Sequence, residues 1–240
     1  MAGSGDKEDR LINRQNISYY DVIAPEYDAI LSRDSANAII RAKVAARFMY
    51  YVKEGYVLDF GGGTGQDLEW LVQQHYDIIF CEPSAKMRQI AVGHWKNEFP
   101  RAPVFFLDND KTDFRSWNSI FPLNYKVKAV LANFAVINCI PDIGLLFEKL
   151  AIVTETGGIV IAVLLDNRLV KRMKSNLKGT LQSLFSGKPV NISIDYNGER
   201  QLVYIHTMKA IKKSLADSFV LWSVERFNGF GFCLIHLVRK

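Results

Sequence analysis

The residues whose types and spacing carry the most chemistry lie between positions 57 and 87. Val57-Leu58-Asp59-Phe60-Gly61-Gly62-Gly63-Thr64-Gly65 runs from a short apolar segment straight into a glycine cluster. Glycines at 61, 63 and 65 stand where a strand would turn into a helix, and a backbone without Cβ there admits φ > 0 and close approach of a ligand. The spacing is not the pyrophosphate-binding G-x-G-x-x-G, because Gln66 holds the place of its third glycine, which disfavours a diphosphate cofactor. Asp59 precedes the cluster and Glu82 follows Gly65 by 17 residues. A carboxylate so placed can accept two hydrogen bonds from a diol. The glycines alone would suit an ordinary tight turn; the two acids point to a ligand.

The surrounding pattern supplies the elements that would hold these groups. Tyr56–Phe60 reads as a strand, Gln66–Gln74 as a helix, Tyr76–Cys81 as a strand and Ser84–Asn97 as a helix. Strands follow at Val104–Leu107 and Ala129–Asn133, then a helix at Ile143–Thr154 and a strand at Ile159–Leu165. Nearly all-apolar strands alternating with helices imply an α/β fold with a parallel sheet covered on both faces. Upstream, residues 1–17 are polar and charged and read as a disordered lead. Ser18–Ile30 mixes aromatic and acidic residues around Pro25, and Ser35 reads as the N-cap of a helix to Val52. Downstream, Arg168–Lys178 is a basic helical stretch, and Gly187, Pro189 and Asn197-Gly198 mark an inserted hairpin or loop. Thr207 could cap a helix to Ser218, and Val220–Phe227, Asn228-Gly229 and Phe232–Arg239 read as an antiparallel hairpin closing the sheet edge.

Asp-x-Gly-x-Gly-x-Gly at 59–65 resembles motif I of the class I S-adenosylmethionine-dependent methyltransferases, and the resemblance runs in order from about Tyr19 to Leu165. Glu82 matches the acid that this family uses on the ribose hydroxyls, and Pro83 to Met87 its post-acidic turn, with Met87 packing on adenine. Phe106–Phe114 is similar to the third-strand segment, with Asp110, beside Lys111, at the position that meets the adenine amino group and Asp108 as the competing candidate. Asn133 and Phe134 match the fourth-strand exit facing the methionine part, and Gly157-Gly158 the turn before the fifth strand. Tyr19, Tyr20 and Tyr27 resemble an aromatic N-terminal lid. The resemblance implies a Rossmann-like, seven-stranded, mostly parallel sheet with an antiparallel last strand, and a methyltransferase domain over residues 18–240. Its parts would be a helical lid (18–55), a cofactor-binding core (56–165), a substrate-side insertion (167–204) and a closing helix and hairpin (205–240). It also implies S-adenosylmethionine as cofactor and S-adenosylhomocysteine as product, held by Asp59, Gly61, Gly62, Gly63, Gly65 and Glu82. Asp59 would face the cationic end and the glycine N–H groups the anionic end.

Methyl transfer is an in-line displacement in which positioning supplies much of the acceleration, so a dedicated base is optional. Candidate bases are His206 and Tyr204; His94 is expected on a helix surface and His236 in a structural role. The acceptor is expected to be an oxygen or nitrogen of a small molecule or peptide. Asn133-Phe134-Ala135-Val136 lacks the Pro-Pro-aromatic run of base-amino methyltransferases, and Cys139 lacks the preceding proline of the cytosine C5 enzymes. No metal is expected, since Asn133 stands where metal-dependent relatives place an aspartate. The net charge of +5 is uneven. Residues 1–165 hold 17 Lys and Arg against 20 Asp and Glu, and residues 166–240 hold 13 against 5. The basic last third keeps a tRNA methyltransferase as the alternative. Cys81, Cys139 and Cys233 read as buried thiols of a reducing compartment. With no apolar run long enough to span a bilayer and no leader-like segment, a cytoplasmic monomer or homodimer without membrane contact is expected.

Overall fold

In the computed structural model the described residues are 4–168, 189–215, 217–227 and 229–240. The helices are α1 (Ser4–Ser32), α2 (Ser35–Tyr51), α3 (Leu68–Gln73), α4 (Ala85–Glu98), α5 (Ile143–Val153) and α6 (Met208–Leu215). The strands are β1 (Tyr56–Phe60), β2 (Asp77–Cys81), β3 (Val104–Phe106), β4 (Val127–Ala132), β5 (Thr154–Leu165), β6 (Val190–Tyr196), β7 (Glu199–Ile205), β8 (Phe219–Phe227) and β9 (Phe232–Arg239).

Seven strands form one sheet in the order β3-β2-β1-β4-β5-β9-β8, and β6 and β7 form a separate hairpin. All neighbours pair in parallel except β9, which runs antiparallel to both β5 and β8. The sheet therefore has the topology the resemblance implies. Its inner strands β1, β2 and β4 are buried on both faces along most of their length, which is why they read as nearly unbroken apolar runs. One core joins Leu58, Val130 and Val160 to Phe147 and Leu150 of α5; the other joins Val57, Ile78 and Leu131 to Val44 and Phe48 of α2.

Several boundaries differ from the sequence reading. Residues 4–17 are not a disordered lead: they form the first half of α1, which runs through Pro25 without a break. The burial of Ile12, Asn16, Tyr19 and Ile23 shows why, since spacings of four, three and four place them on one helix face. Asp34, rather than Ser35, caps α2, accepting from Ala36 N at 2.9 Å. Gly157-Gly158 lies within β5 instead of before it. β5 starts directly after α5 and pairs Val127 with Thr154, then Ala129 with Ile159, so the glycines sit in a bulge. The described part of the insertion after residue 189 is a hairpin turned by Asn197 (φ 47) and Gly198 (φ 84), the positive-φ pair of a tight two-residue turn. Thr207 Oγ1 accepts from Ala210 N at 3.0 Å at the start of α6. The basic stretch after Arg168, Gly187 and the turn residue Asn228 lie outside the described residues.

Candidate functional site

A cavity of about 850 Å³, open mouth included, runs along the C-terminal ends of β3, β2, β1 and β4 under α1, the crevice where open parallel sheets bind ligands. Of the residues that the resemblance singles out for the ligand, Tyr20, Tyr27, Gly61, Gly63, Glu82, Pro83, Met87, Asn133 and Phe134 line it.

Glu82 is the chemical centre of its β2 end. Only 7% exposed, its carboxylate accepts from Gly63 N at 3.0 Å and from Ser84 N at 2.7 Å. Burial drives its pKa up to about 7 against those two hydrogen bonds, which pull it down. Ser84 Oγ caps α4 by accepting from Met87 N at 3.1 Å, and Asp21 of α1 accepts from Ser84 Oγ at 2.6 Å and Lys86 N at 3.0 Å. One helix start thereby places Met87, holds Glu82 and anchors α1.

The glycine turn does less of the ligand-binding work than its spacing suggests. Gly61 N donates to Cys81 O at 2.7 Å, Gly62 N to Cys81 O at 3.3 Å, and Gly65 N to Gly62 O at 3.0 Å, so these N–H groups bind the chain itself. Gly62 and Gly65 do not line the cavity. A Cβ on Gly62 would meet the Phe80 ring at 2.3 Å, and Gly65 packs on Leu68 and Ala91. Gly63 is the open position: its φ is +59 and a Cβ there would have only Tyr27 within 4 Å, at 3.9 Å. The expectation that glycine N–H groups stand free for an anion is corrected accordingly.

Asp59 likewise lies beneath the turn rather than in the cavity wall. It is 1% exposed and its Oδ2 has no hydrogen-bond partner. Burial first, then the Asp67 carboxylate, push its pKa well above the usual carboxylate range against the pull of Arg41.

Asp110 is exposed and Lys111 pairs with Asp108 at 3.1 Å; neither lines the cavity, whose β3 end is made by Thr112, Asp113 and Phe114. Tyr19 is buried between α1 and α4 beside Met87, and Tyr20 takes the lining place. His206 and Tyr204 are also outside the lining. His206 Nε2 lies 3.0 Å from Ile140 O, and burial lowers its pKa to about 4; Tyr204 stacks on its ring at 6.3 Å. His94 is not a free surface group: its Nδ1 is 3.0 Å from Thr64 O. His236 is buried against Tyr51.

At the β4 end, sequence reasoning found Asn133, Phe134 and Tyr20 but missed the rest of the wall. Asn13, Asn16, Ile17 and Tyr20 of α1 meet Val136, Cys139 and Ile140 there, so Cys139, read as a core thiol, is a wall of the cavity. The helical periodicity of Ile12, Asn16, Tyr19 and Ile23 was the available signal for α1. Nothing local marked Cys139.

The donor set fits a nucleoside: a buried carboxylate for a diol, an uncrowded glycine beside it, and Met87, Pro83 and Phe114 as apolar walls. Strand order with an antiparallel β9, together with this crevice where the strand order reverses between β1 and β4, defines a Rossmann-like methyltransferase fold. A sequence model of the family described as methyltransferase domain matches residues 31–233, and the chain belongs to that family.

Among solved structures, the DhpI-SAM-HEP complex is similar at 20% identity and a TM-score of 0.67, covering 95% of this chain and 98% of that one. An S-adenosylmethionine-dependent methyltransferase from Clostridium acetobutylicum ATCC 824 is similar at 12% identity and a TM-score of 0.60, covering 83% and 90%. The glycopeptide N-methyltransferase MtfA complexed with S-adenosyl-L-homocysteine is similar at 14% identity and a TM-score of 0.59, covering 82% and 88%. No curated protein matches the sequence.

Among the described residues no helix is long and apolar enough to cross a membrane. The described arginines of the basic last third are engaged: Arg168 and Arg226 with Asp166, Arg200 with Asp195, and Arg239 with Ala151 O and Ser218 O.

Proposed function

We propose that the chain is an S-adenosylmethionine-dependent methyltransferase that acts on an oxygen or nitrogen of a small, uncharged molecule or peptide group. The observation that carries the reading is Glu82, a buried carboxylate at the end of β2 facing one cavity with the open Gly63. When bound, the cofactor supplies a methyl group on a sulfonium, which is already electrophilic.

The chain's own residues bind and exclude. Glu82 accepts from the sugar hydroxyls, Met87, Pro83 and Phe114 enclose the base, and Asn133 and Phe134 at the β4 exit border the reacting end. Tyr20 and Tyr27, both raised above the ordinary phenol range chiefly by burial, keep their protons, so they orient an acceptor and do not deprotonate it. Acceleration then comes from holding two reactants in line in a dry space. The described lining contains Glu82 and Asp113 but no Lys, Arg or His, so an anionic acceptor would find no counter-charge among these residues.

Titration calorimetry with S-adenosylhomocysteine tests the reading. Micromolar affinity is expected, with a loss of roughly 100-fold in Glu82→Ala, whose two charge-assisted hydrogen bonds disappear. Folded wild-type protein that ignores millimolar ligand refutes it.

A further inference from the structure

At the β4 end of the cavity three remote segments converge on one hydroxyl. α1 brings Tyr20, β7 brings Gln201, and the turn after β4 brings Cys139. Gln201 Nε2 lies 2.7 Å from Tyr20 Oη and 3.3 Å from Cys139 Sγ. Cys139 Sγ lies 3.8 Å from Ala135 O, toward which its hydrogen points.

The direction of each hydrogen bond follows from what the groups can do. An amide nitrogen only donates, so Tyr20 Oη accepts from Gln201 and keeps its own proton for another partner. The protein offers that proton the Cys139 sulfur, at 3.6 Å, a weak acceptor that is already receiving from Gln201. Burial first and the Cys139 thiol next push the phenol well above its ordinary range, so the proton is retained through the physiological span.

Gln201 itself is held rigidly. It is 6% exposed, and its neighbour Leu202 is clamped by Asn16, whose side chain accepts from Leu202 N at 2.8 Å and donates to Leu202 O at 3.0 Å and Cys139 O at 3.1 Å. The strand segment that carries Gln201 is thus tied to the same α1 helix that carries Tyr20.

We infer that Tyr20 is a specificity-determining residue: its hydroxyl, turned by Gln201, presents a hydrogen-bond donor to the cavity and selects substrates with a carbonyl, ether or hydroxyl oxygen at that end. The inference rests on the reading of this cavity as the acceptor side of a methyl-transfer site. Gln201 acts through Tyr20 and is a positioning residue.

Acetophenone and α-methylstyrene test it, because they share size and shape and differ in one hydrogen-bond-accepting oxygen. Their dissociation constants are measured by ligand-observed NMR on the full chain, with and without saturating S-adenosylhomocysteine. The readout is the ratio of the two constants, which a general loosening of the cavity leaves unchanged. Wild type is expected to prefer acetophenone, and Tyr20→Phe, which keeps the edge contacts to Tyr19 and Tyr27, to shrink that preference roughly fivefold to tenfold, the worth of one hydrogen bond to a buried donor. Gln201→Leu, which leaves the phenol proton without a fixed direction, is expected to shrink it at least twofold. A ratio in Tyr20→Phe within twofold of wild type, or no acetophenone binding to wild type, overturns the inference; an unchanged ratio in Gln201→Leu overturns the orienting role. Failure of S-adenosylhomocysteine to bind would instead strike the proposed function, while the ratio in the nucleoside-free protein still reads Tyr20.

Discussion

In the role proposed for it, Glu82 must give up a proton before it can serve a diol well, which would make nucleoside binding pH-dependent with a predictable sign. In the free protein its pKa is raised from 4.5 to about 7 by burial. Two hydroxyl donors on the carboxylate favour the charged form and bring the pKa back down in the complex, so binding below neutrality releases a proton. With the bound-state value well below 5.5, affinity falls about 30-fold from pH 8 to pH 5.5. Calorimetry in two buffers of different ionisation enthalpy reads the released proton directly near pH 6. Glu82→Gln, which cannot titrate, should bind more weakly at pH 8 and show neither the slope nor the proton release.

The same shift acts on stability. Because the folded value lies above the unfolded one, this carboxyl favours folding fully only below about pH 4.5, and the contribution is lost as pH rises through 7, by about 3 kcal/mol. The difference between wild type and Glu82→Gln in urea unfolding at pH 4.5 and pH 8 isolates it. Affinity for S-adenosylhomocysteine that stays level across pH 5.5 to 8 in wild type, or an identical slope in Glu82→Gln, refutes the reasoning.

Gly61→Ala should cost about 3 kcal/mol by calorimetry, since φ is +73 and the new Cβ would lie 2.5 Å from Val136 Cγ1; a loss under 1 kcal/mol contradicts the packing described. His206, whose pKa is lowered to about 4 by burial, should contribute stability that is lost as pH falls below 6.5, because the unfolded chain takes up the proton first. The wild-type minus His206→Gln difference in urea unfolding should therefore shrink by about 2 kcal/mol from pH 7.5 to pH 5, and a constant difference would show that the histidine titrates normally. Asn16→Ala removes the partners of Leu202 N, Leu202 O and Cys139 O and should destabilise by about 2 to 3 kcal/mol. Hydrogen exchange should speed up in β7 and spare β1, and uniform acceleration would argue against a local clamp.

What was legible in the sequence is what is decided locally. The strand-glycine-helix unit, Glu82 after β2 and the hairpin of β8 and β9 depend on neighbours within a few residues, and the parallel sheet follows from the rhythm of apolar runs. The misreadings share a different cause. Ser4–Arg10 is charged and looks like a lead, yet it continues a helix whose buried face closes against residues nearly two hundred positions away, as Asn16 and Leu202 show. Asp59 carries the motif's acid, but its environment is set by the Phe80 and Asp67 side chains and by the turn above it. His206 could face a pocket or a carbonyl with equal ease until the position of Ile140 is known. Spacing names a residue's type and element; its protonation and direction come from tertiary neighbours.

The β4 exit explains how such a site holds its geometry before a ligand arrives. Phe134 (φ 51) and Ala135 (φ 64) are consecutive non-glycine residues in the left-handed region, a conformation that costs about 1 to 3 kcal/mol per residue and persists only where the surroundings over-determine it. Here they do. Asn133 Oδ1 accepts from Phe134 N at 2.9 Å while its Nδ2 donates to Asp67 at 3.0 Å, and Ala135 N donates to Val163 O at 2.9 Å. Arg41 of α2 pairs with Asp67, donates to Gln66 at 2.8 Å, and lies 4.7 Å over the Phe134 ring. Asp28 of α1 accepts from Thr64 at 2.5 Å and Gln66 at 2.6 Å. The glycine turn and the β4 exit are therefore one cross-braced floor, tied to both N-terminal helices. The proposed methyl transfer by placement would need that rigidity in the free protein, because any ordering left for the moment of binding would be subtracted from the advantage of alignment.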